Sequence, residues 1–155
     1  MGAGGVVQQR RLVLCSGKAY HDLAEKRAKD GLGDVALVRL EQFYPFPEEQ
    51  LRRALGRYRR VKEWVWAQEE SQNMGGWTFM EPRLRALGPP FEYVGRDASA
   101  SPATGSLEVH KREQREVVEA ALRGPLPHLV RASGNGLGGQ RPAVRQERAA
   151  EPATK

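Results

Sequence analysis

A single cysteine, Cys15, stands among 155 residues. That scarcity excludes an intramolecular disulfide framework and any multi-cysteine zinc site, and it fits a reducing compartment. Long apolar runs are missing too. Nothing approaches the roughly 20 residues that a membrane-spanning helix needs, so no membrane association is expected. The N-terminus, Met1-Gly2-Ala3-Gly4-Gly5, lacks a basic head followed by an apolar core. No signal peptide is legible there, and a cytoplasmic location is expected. The three histidines, His21, His110 and His128, are too scattered for a metal site. Gly-x-Gly-x-x-Gly, a phosphate loop, His-Glu-x-x-His and a Ser/His/Asp constellation are all absent.

What is present is charge, with a formal surplus of +6 from 25 Lys and Arg against 19 Asp and Glu. Half of the surplus lies beyond Gly124, in Arg131, Arg141, Arg145, Arg148 and Lys155 against Glu147 and Glu151. The other half lies on residues 1–123, where the charges read as well mixed. Without a nucleic-acid-binding signature, a solvated surface with a basic tail is expected and nucleic acid is not expected as a partner.

Composition divides the chain into three parts. Residues 1–10 are Gly-rich and polar, and residues 124–155 carry few large apolar groups. Neither part buries enough apolar surface to offset chain entropy, so a disordered N-terminus and a disordered basic tail flank a domain at 11–123. Inside the domain, strand and helix signals alternate. Arg11–Gly17 reads as a short buried strand with a glycine turn, and Lys18–Asp30 as a helix with Gly31 as its C-terminal cap. Asp34–Gln42 is a second strand. Pro47, Glu48 and Glu49 suit the start of a helix that carries Leu51, Ala54, Leu55 and Tyr58 at i, i+3, i+4, i+7. Val61–Glu69, with Trp64-Val-Trp-Ala67, reads as a central strand covered on both faces. Gly75-Gly76 opens a helix to about Leu87, Phe91–Gly95 is a fourth strand, and a last helix runs from about Gly105 to Leu122. This alternation predicts an α/β fold, a mostly parallel sheet with helices on both faces.

The chemistry-bearing residues gather in a few places. Cys15 lies in an apolar strand and reads as a buried structural thiol. Glu69-Glu70-Ser71-Gln72-Asn73-Met74-Gly75-Gly76-Trp77 follows the central strand, where binding sites form in open α/β sheets. Adjacent Glu69 and Glu70 point to opposite faces, so a paired-carboxylate site competes with helix capping and a domain-contact surface. On the last helix, Leu107, His110, Gln114, Val117, Val118 and Ala121 share one face, which points His110 and Gln114 inward. Two readings stay open for them: internal partners, or contact with another domain or subunit. The hydroxyls of Ser101, Thr104 and Ser106 in Ser99–Ser106 precede a helix and offer either a capping turn or an anion site.

Five strings, in order and at matching spacing, carry a resemblance. They are Arg11-Leu-Val-Leu-Cys-Ser-Gly-Lys-Ala-Tyr20, Val38-Arg-Leu-Glu-Gln-Phe-Tyr-Pro-Phe-Pro47, Val61-Lys-Glu-Trp-Val-Trp-Ala-Gln-Glu-Glu70, Asn73-Met-Gly-Gly-Trp77, and Ser99 to Lys111. Together they resemble the C-terminal domain of the 2-oxoglutarate dehydrogenase E1 component, over residues 11–122. The resemblance implies a transketolase C-terminal-type fold, a three-layer α/β/α unit with about five strands. It implies a full enzyme that uses thiamine diphosphate and magnesium to decarboxylate 2-oxoglutarate and passes the succinyl group to the lipoyl domain of its E2 succinyltransferase. The family's cofactor lies mainly between two other domains of a homodimer, and its Gly-Asp-Gly motif does not occur here; Gly33-Asp34-Val35 is a strand entry. No catalytic, cofactor-binding or metal residue is therefore carried over, and the lone chain is expected to bind no cofactor and to be inactive, a truncated or split subunit that assembles with the missing E1 domains. Gln68, Glu69, Glu70, Asn73 and Trp77 resemble the family's domain-packing region, and His110 and Gln114 join them as candidate interface residues. The alternative is a stand-alone regulatory module that binds an anionic metabolite at Ser99–Ser106.

Overall fold

A computed structural model of the chain describes residues 8–100 and 106–124. Strands and helices alternate strictly: β1 (Arg11–Ser16), α1 (Ala19–Lys29), β2 (Val35–Leu40), α2 (Glu48–Leu55), β3 (Glu63–Ser71), α3 (Trp77–Leu87), β4 (Phe91–Arg96) and α4 (Leu107–Arg123). Among the described residues the sheet has four strands, ordered β2-β1-β3-β4 and all parallel. This corrects the expected five: the described residues supply four apolar runs of strand length, and each is used.

The two faces of the sheet follow from side-chain alternation along the strands. Leu12 and Leu14 point one way, against Leu51 and Leu55 of α2 and Met80 and Leu84 of α3. Val13 and Cys15 point the other way, against Leu23 of α1 and Val118, Ala121 and Leu122 of α4. The result is three layers, with α2 and α3 on one side and α1 and α4 on the other. Trp66 is fully buried in the first layer and Val65 in the second. Central β3 is thus covered on both faces, as its continuous apolar run requires.

Helix ends also obey the sequence. Gly31 takes φ +65 just beyond α1, a conformation that favours glycine over any residue with a Cβ. Pro47 stands at the N-cap of α2, with Glu48 and Glu49 in its first turn. At the opposite edge of the sheet, Arg11 is 3% exposed. Its Nε lies 2.8 Å from Glu63, and one of its terminal nitrogens donates to the Ala121 carbonyl near the end of α4. Arg10 pairs with both Asp34 and Glu63, at 2.9 and 2.8 Å.

Because every strand is parallel, all carboxyl ends share one edge. The strand order reverses between β1 and β3, so the switch point at that edge lies between the turn after β1 and the end of β3.

Candidate functional site

Four of the candidate interface residues lie at or just beyond the end of β3, and their roles differ. Gln68 is 3% exposed and its amide is fully used. Oε1 accepts from the Trp66 indole N–H and from the Trp77 backbone N–H, each at 2.9 Å, while Nε2 donates to the carbonyls of Glu70 and Ser71. Trp77 is the first residue of α3, so Gln68 satisfies one of the free N–H groups at that helix start. The two glycines before Trp77 make room for this. A Cβ at Gly75 would meet the Gln68 amide at 2.5 Å, and one at Gly76 would meet the Phe43 ring at 2.8 Å and Trp66 at 3.0 Å. Trp77 itself is half-buried, its ring centroid 5.4 Å from that of Tyr93. Gln68 is therefore a structural residue, inaccessible to a partner.

Glu69 and Glu70 diverge, as successive strand residues must. Glu70 is exposed. Glu69 turns to the α1–α4 side, where its Oε1 accepts from Gln114 Nε2 at 2.6 Å and Lys18 Nζ at 3.3 Å. The same two donors reach Asp22 Oδ2, at 3.1 and 2.8 Å. Lys18 comes from the turn after β1 and Asp22 from the first turn of α1, so the fold assembles the quartet at the point where strand order reverses. Sequence reading reaches Glu69 and Gln114 but misses Lys18 and Asp22. The i, i+4 spacing of that pair was its only local signal. Burial pulls the Asp22 carboxyl upward, yet the hydrogen bonds from Lys18 and Gln114 and the Lys18 charge outweigh it and hold the group below the ordinary carboxylate range. A carboxylate so held is a poor proton acceptor at neutral pH.

Asn73 is exposed and makes a reciprocal pair with Ser99: Nδ2 donates to the Ser99 carbonyl at 2.9 Å, and the Ser99 N–H donates to Oδ1 at 3.0 Å. His110 does not point inward as expected. It is exposed, and Leu107 on the same face is 66% exposed. The buried residues of α4 begin at Val117, with Gln114 half-buried above them. Gln114 meets Glu69 near the end of β3 and Glu113 meets Arg96 at the end of β4, so the turns of α4 that precede them lie past the carboxyl edge. The large apolar side chains exposed among the described residues are Tyr44 (83%), Met74 (39%) and Leu107 (66%). Each follows the carboxyl end of a strand: β2, β3 and β4 in turn. Sequence reading missed Tyr44 and Met74 as surface residues, and it placed Leu107 with the core.

Other candidates resolve simply. Cys15 is wholly buried, and burial pushes its thiol up to about 12, which removes it as a nucleophile. Ser101 and Thr104 lie outside the described residues. Ser106 is the exposed N-cap of α4 and makes no side-chain capping bond. The described residues do not fit the magnesium–diphosphate group that the resemblance implies. The two carboxylates that converge at the switch point, Asp22 and Glu69, already share an ammonium and an amide. No step through that group is derived for them.

Comparison with known proteins agrees with the five strings. Residues 6–122 match the family described as 2-oxoglutarate dehydrogenase C-terminal. The 2-oxoglutarate dehydrogenase E1 component of Geobacillus sp. (strain WCH70) is 47% identical over 116 residues, covering 72% of this chain and 12% of that protein. Its counterpart from Haemophilus influenzae is 44% identical over 116 residues, covering 73% and 12%. That from Brucella ovis is 48% identical over 120 residues, again covering 73% and 12%. The chain thus aligns with about an eighth of the length of these curated relatives.

Proposed function

This chain belongs to the 2-oxoglutarate dehydrogenase C-terminal family, and from that premise we propose that it is a packing domain, docking by the carboxyl edge of its sheet onto the remainder of an E1 component. The enzyme so completed decarboxylates 2-oxoglutarate with thiamine diphosphate and magnesium, works as a homodimer, and passes the succinyl group to the lipoyl domain of an E2 partner. In this reading the domain supplies shape and orientation while the reacting groups come from elsewhere. A cytoplasmic location belongs to the same reading and is supported by the single buried thiol.

One observation carries the docking face. Tyr44, Met74 and Leu107 all lie at the carboxyl edge. Phe43, beside Tyr44, packs on Trp66 and Phe79 and closes over Gly76, and Asn73, beside Met74, is bonded to Ser99 on the path toward α4. Apolar groups gathered on one edge and rimmed by polar ones are the usual mark of a contact surface.

The test uses the full chain and the Haemophilus influenzae E1 component truncated before its matching segment. Co-expression is expected to give a complex that elutes together and releases carbon dioxide from 2-oxoglutarate. The chain alone is expected to release none with thiamine diphosphate and magnesium. The triple substitution Tyr44→Ser, Met74→Ser, Leu107→Ser is expected to abolish co-elution while leaving the fold intact by circular dichroism. Co-elution unaffected by that variant would remove the carboxyl edge as the docking face, and activity of the chain alone would remove the packing role.

A further inference from the structure

A second surface lies at the opposite end of the sheet. Between Glu49 and Glu63 the sequence holds Arg52, Arg53, Arg57, Arg59, Arg60 and Lys62 and not one acid. These six cations equal the surplus of the whole chain, so all other residues together are electrically balanced. The reading of residues 1–123 as well mixed is corrected: their positive surplus comes from the end of α2 and the connection to β3.

Only Arg52 of the six pairs with a carboxylate among the described residues, at 2.8 Å from Glu48. Arg53, Arg57, Arg59, Arg60 and Lys62 are exposed and make no ion pair there. Elsewhere on the surface Arg10, Lys18, Lys26, Arg96 and Arg123 each hold a carboxylate. Like charges so close repel, and that repulsion is relieved by an anionic surface laid against them. A groove of about 520 Å³ runs along the patch, lined by Gln8, Gln9, Arg57, Tyr58, Arg59 and Arg60.

We propose that this amino-edge groove binds an acidic stretch of polypeptide. The guanidinium groups meet its carboxylates in bidentate fashion, and the Gln8 and Gln9 amides offer both donors and acceptors to a peptide backbone. The neighbouring rings argue against single-stranded nucleic acid, whose bases need a flat aromatic face. Tyr58 is half-buried against the core, and Trp64 is packed edge-on to Phe91 with centroids 5.6 Å apart. The proposal is independent of the docking reading, since it concerns the other end of the sheet.

The test is fluorescence anisotropy of labelled poly-L-glutamate with the full chain at low and at physiological salt, run beside a single-stranded oligodeoxynucleotide. Salt-sensitive binding of poly-L-glutamate is expected, weakened at least about tenfold by the combined variant Arg57→Gln, Arg59→Gln, Arg60→Gln. That variant keeps every cation beyond Gly124, so undiminished affinity would assign the binding elsewhere and overturn the proposal. So would no binding of poly-L-glutamate by the unaltered chain, or tighter binding of the oligonucleotide at equal salt. If the triple variant misfolds, the single variants Arg57→Gln and Arg59→Gln, both in the lining of the groove, give the same decision.

Discussion

Gln68 caps the helix that Trp77 opens. Its Oε1 lies 2.9 Å from the Trp77 backbone nitrogen while also holding the Trp66 indole N–H, so one buried amide joins strand β3 to helix α3. Two donors depend on that single oxygen, and two carbonyls depend on the nitrogen beside it.

Gln68→Ala should therefore be costly. A buried donor left without a partner costs about 1–3 kcal/mol, and the substitution strands at least two. A loss of about 3 kcal/mol is expected in urea unfolding of the full chain. A shift below about 0.5 kcal/mol would mean that water or a rearranged side chain replaces the amide.

Gly76→Ala tests the closeness of the same turn. The added methyl would press on the Phe43 ring and on Trp66, which is fully buried, and overpacking of this kind costs about 1–3 kcal/mol. Thermal unfolding should show the loss. Gly17→Ala is the control: its Cβ would meet nothing within 4 Å, so only the strain of φ +58 remains, about 1–2 kcal/mol. Gly76 itself lies at φ -68, where alanine meets no backbone strain, so an unchanged midpoint for Gly76→Ala would show that Phe43 and Trp66 yield to the added methyl.

Stability should decline at both ends of the pH range, for different groups. A hydrogen bond from Arg10 holds Asp34 below the ordinary carboxylate range, and Asp22 is also held below it. Their contribution is present above about pH 3.9, the unfolded value, and is lost as pH falls through the folded ones. Cys15 behaves oppositely, since burial raises its thiol to about 12. Its contribution is complete below about pH 8.5 and is lost as pH climbs toward the folded value. At pH 8 the native chain should react with a disulfide reagent only as fast as it opens. Prompt stoichiometric labelling would show Cys15 to be accessible.

The two polar residues of α4 should separate cleanly. His110 is exposed, so His110→Leu should change stability by less than about 0.5 kcal/mol. Gln114 donates to both Asp22 and Glu69, and Gln114→Ala should cost about 1 kcal/mol. Urea midpoints of the two variants check this. A large effect at His110 and none at Gln114 would reverse the assignment.

Those two residues also mark where local sequence stops being informative. The order of the elements, the burial of Leu12–Cys15 and the double cover over Trp66 follow from apolar spacing alone, because alternation along a strand fixes which side meets which helix. Helical periodicity likewise placed Gln114 with Val117 and Val118. It failed at Leu107 and His110 because periodicity says which face a residue shares and nothing about where the sheet beneath that face ends. The Lys18–Asp22–Glu69–Gln114 quartet was half legible for a related reason. Its members come from a turn, two helices and a strand that meet only once the strand order is known. The acid-free run from Arg52 to Lys62 was in plain view but vanished when charge was summed over the whole domain.

The exchange between Asn73 and Ser99 has a mechanical consequence. The turn leaving β3 and the segment leaving β4 are fastened by two hydrogen bonds in opposite directions, so neither can swing without dragging the other. Anything that grips one meets both already aligned, and the entropy of fixing their relative placement has been settled during folding rather than at contact. Cutting this link with Asn73→Ala would leave each loop free to wander separately, so a bound complex should come apart faster while forming at much the same speed.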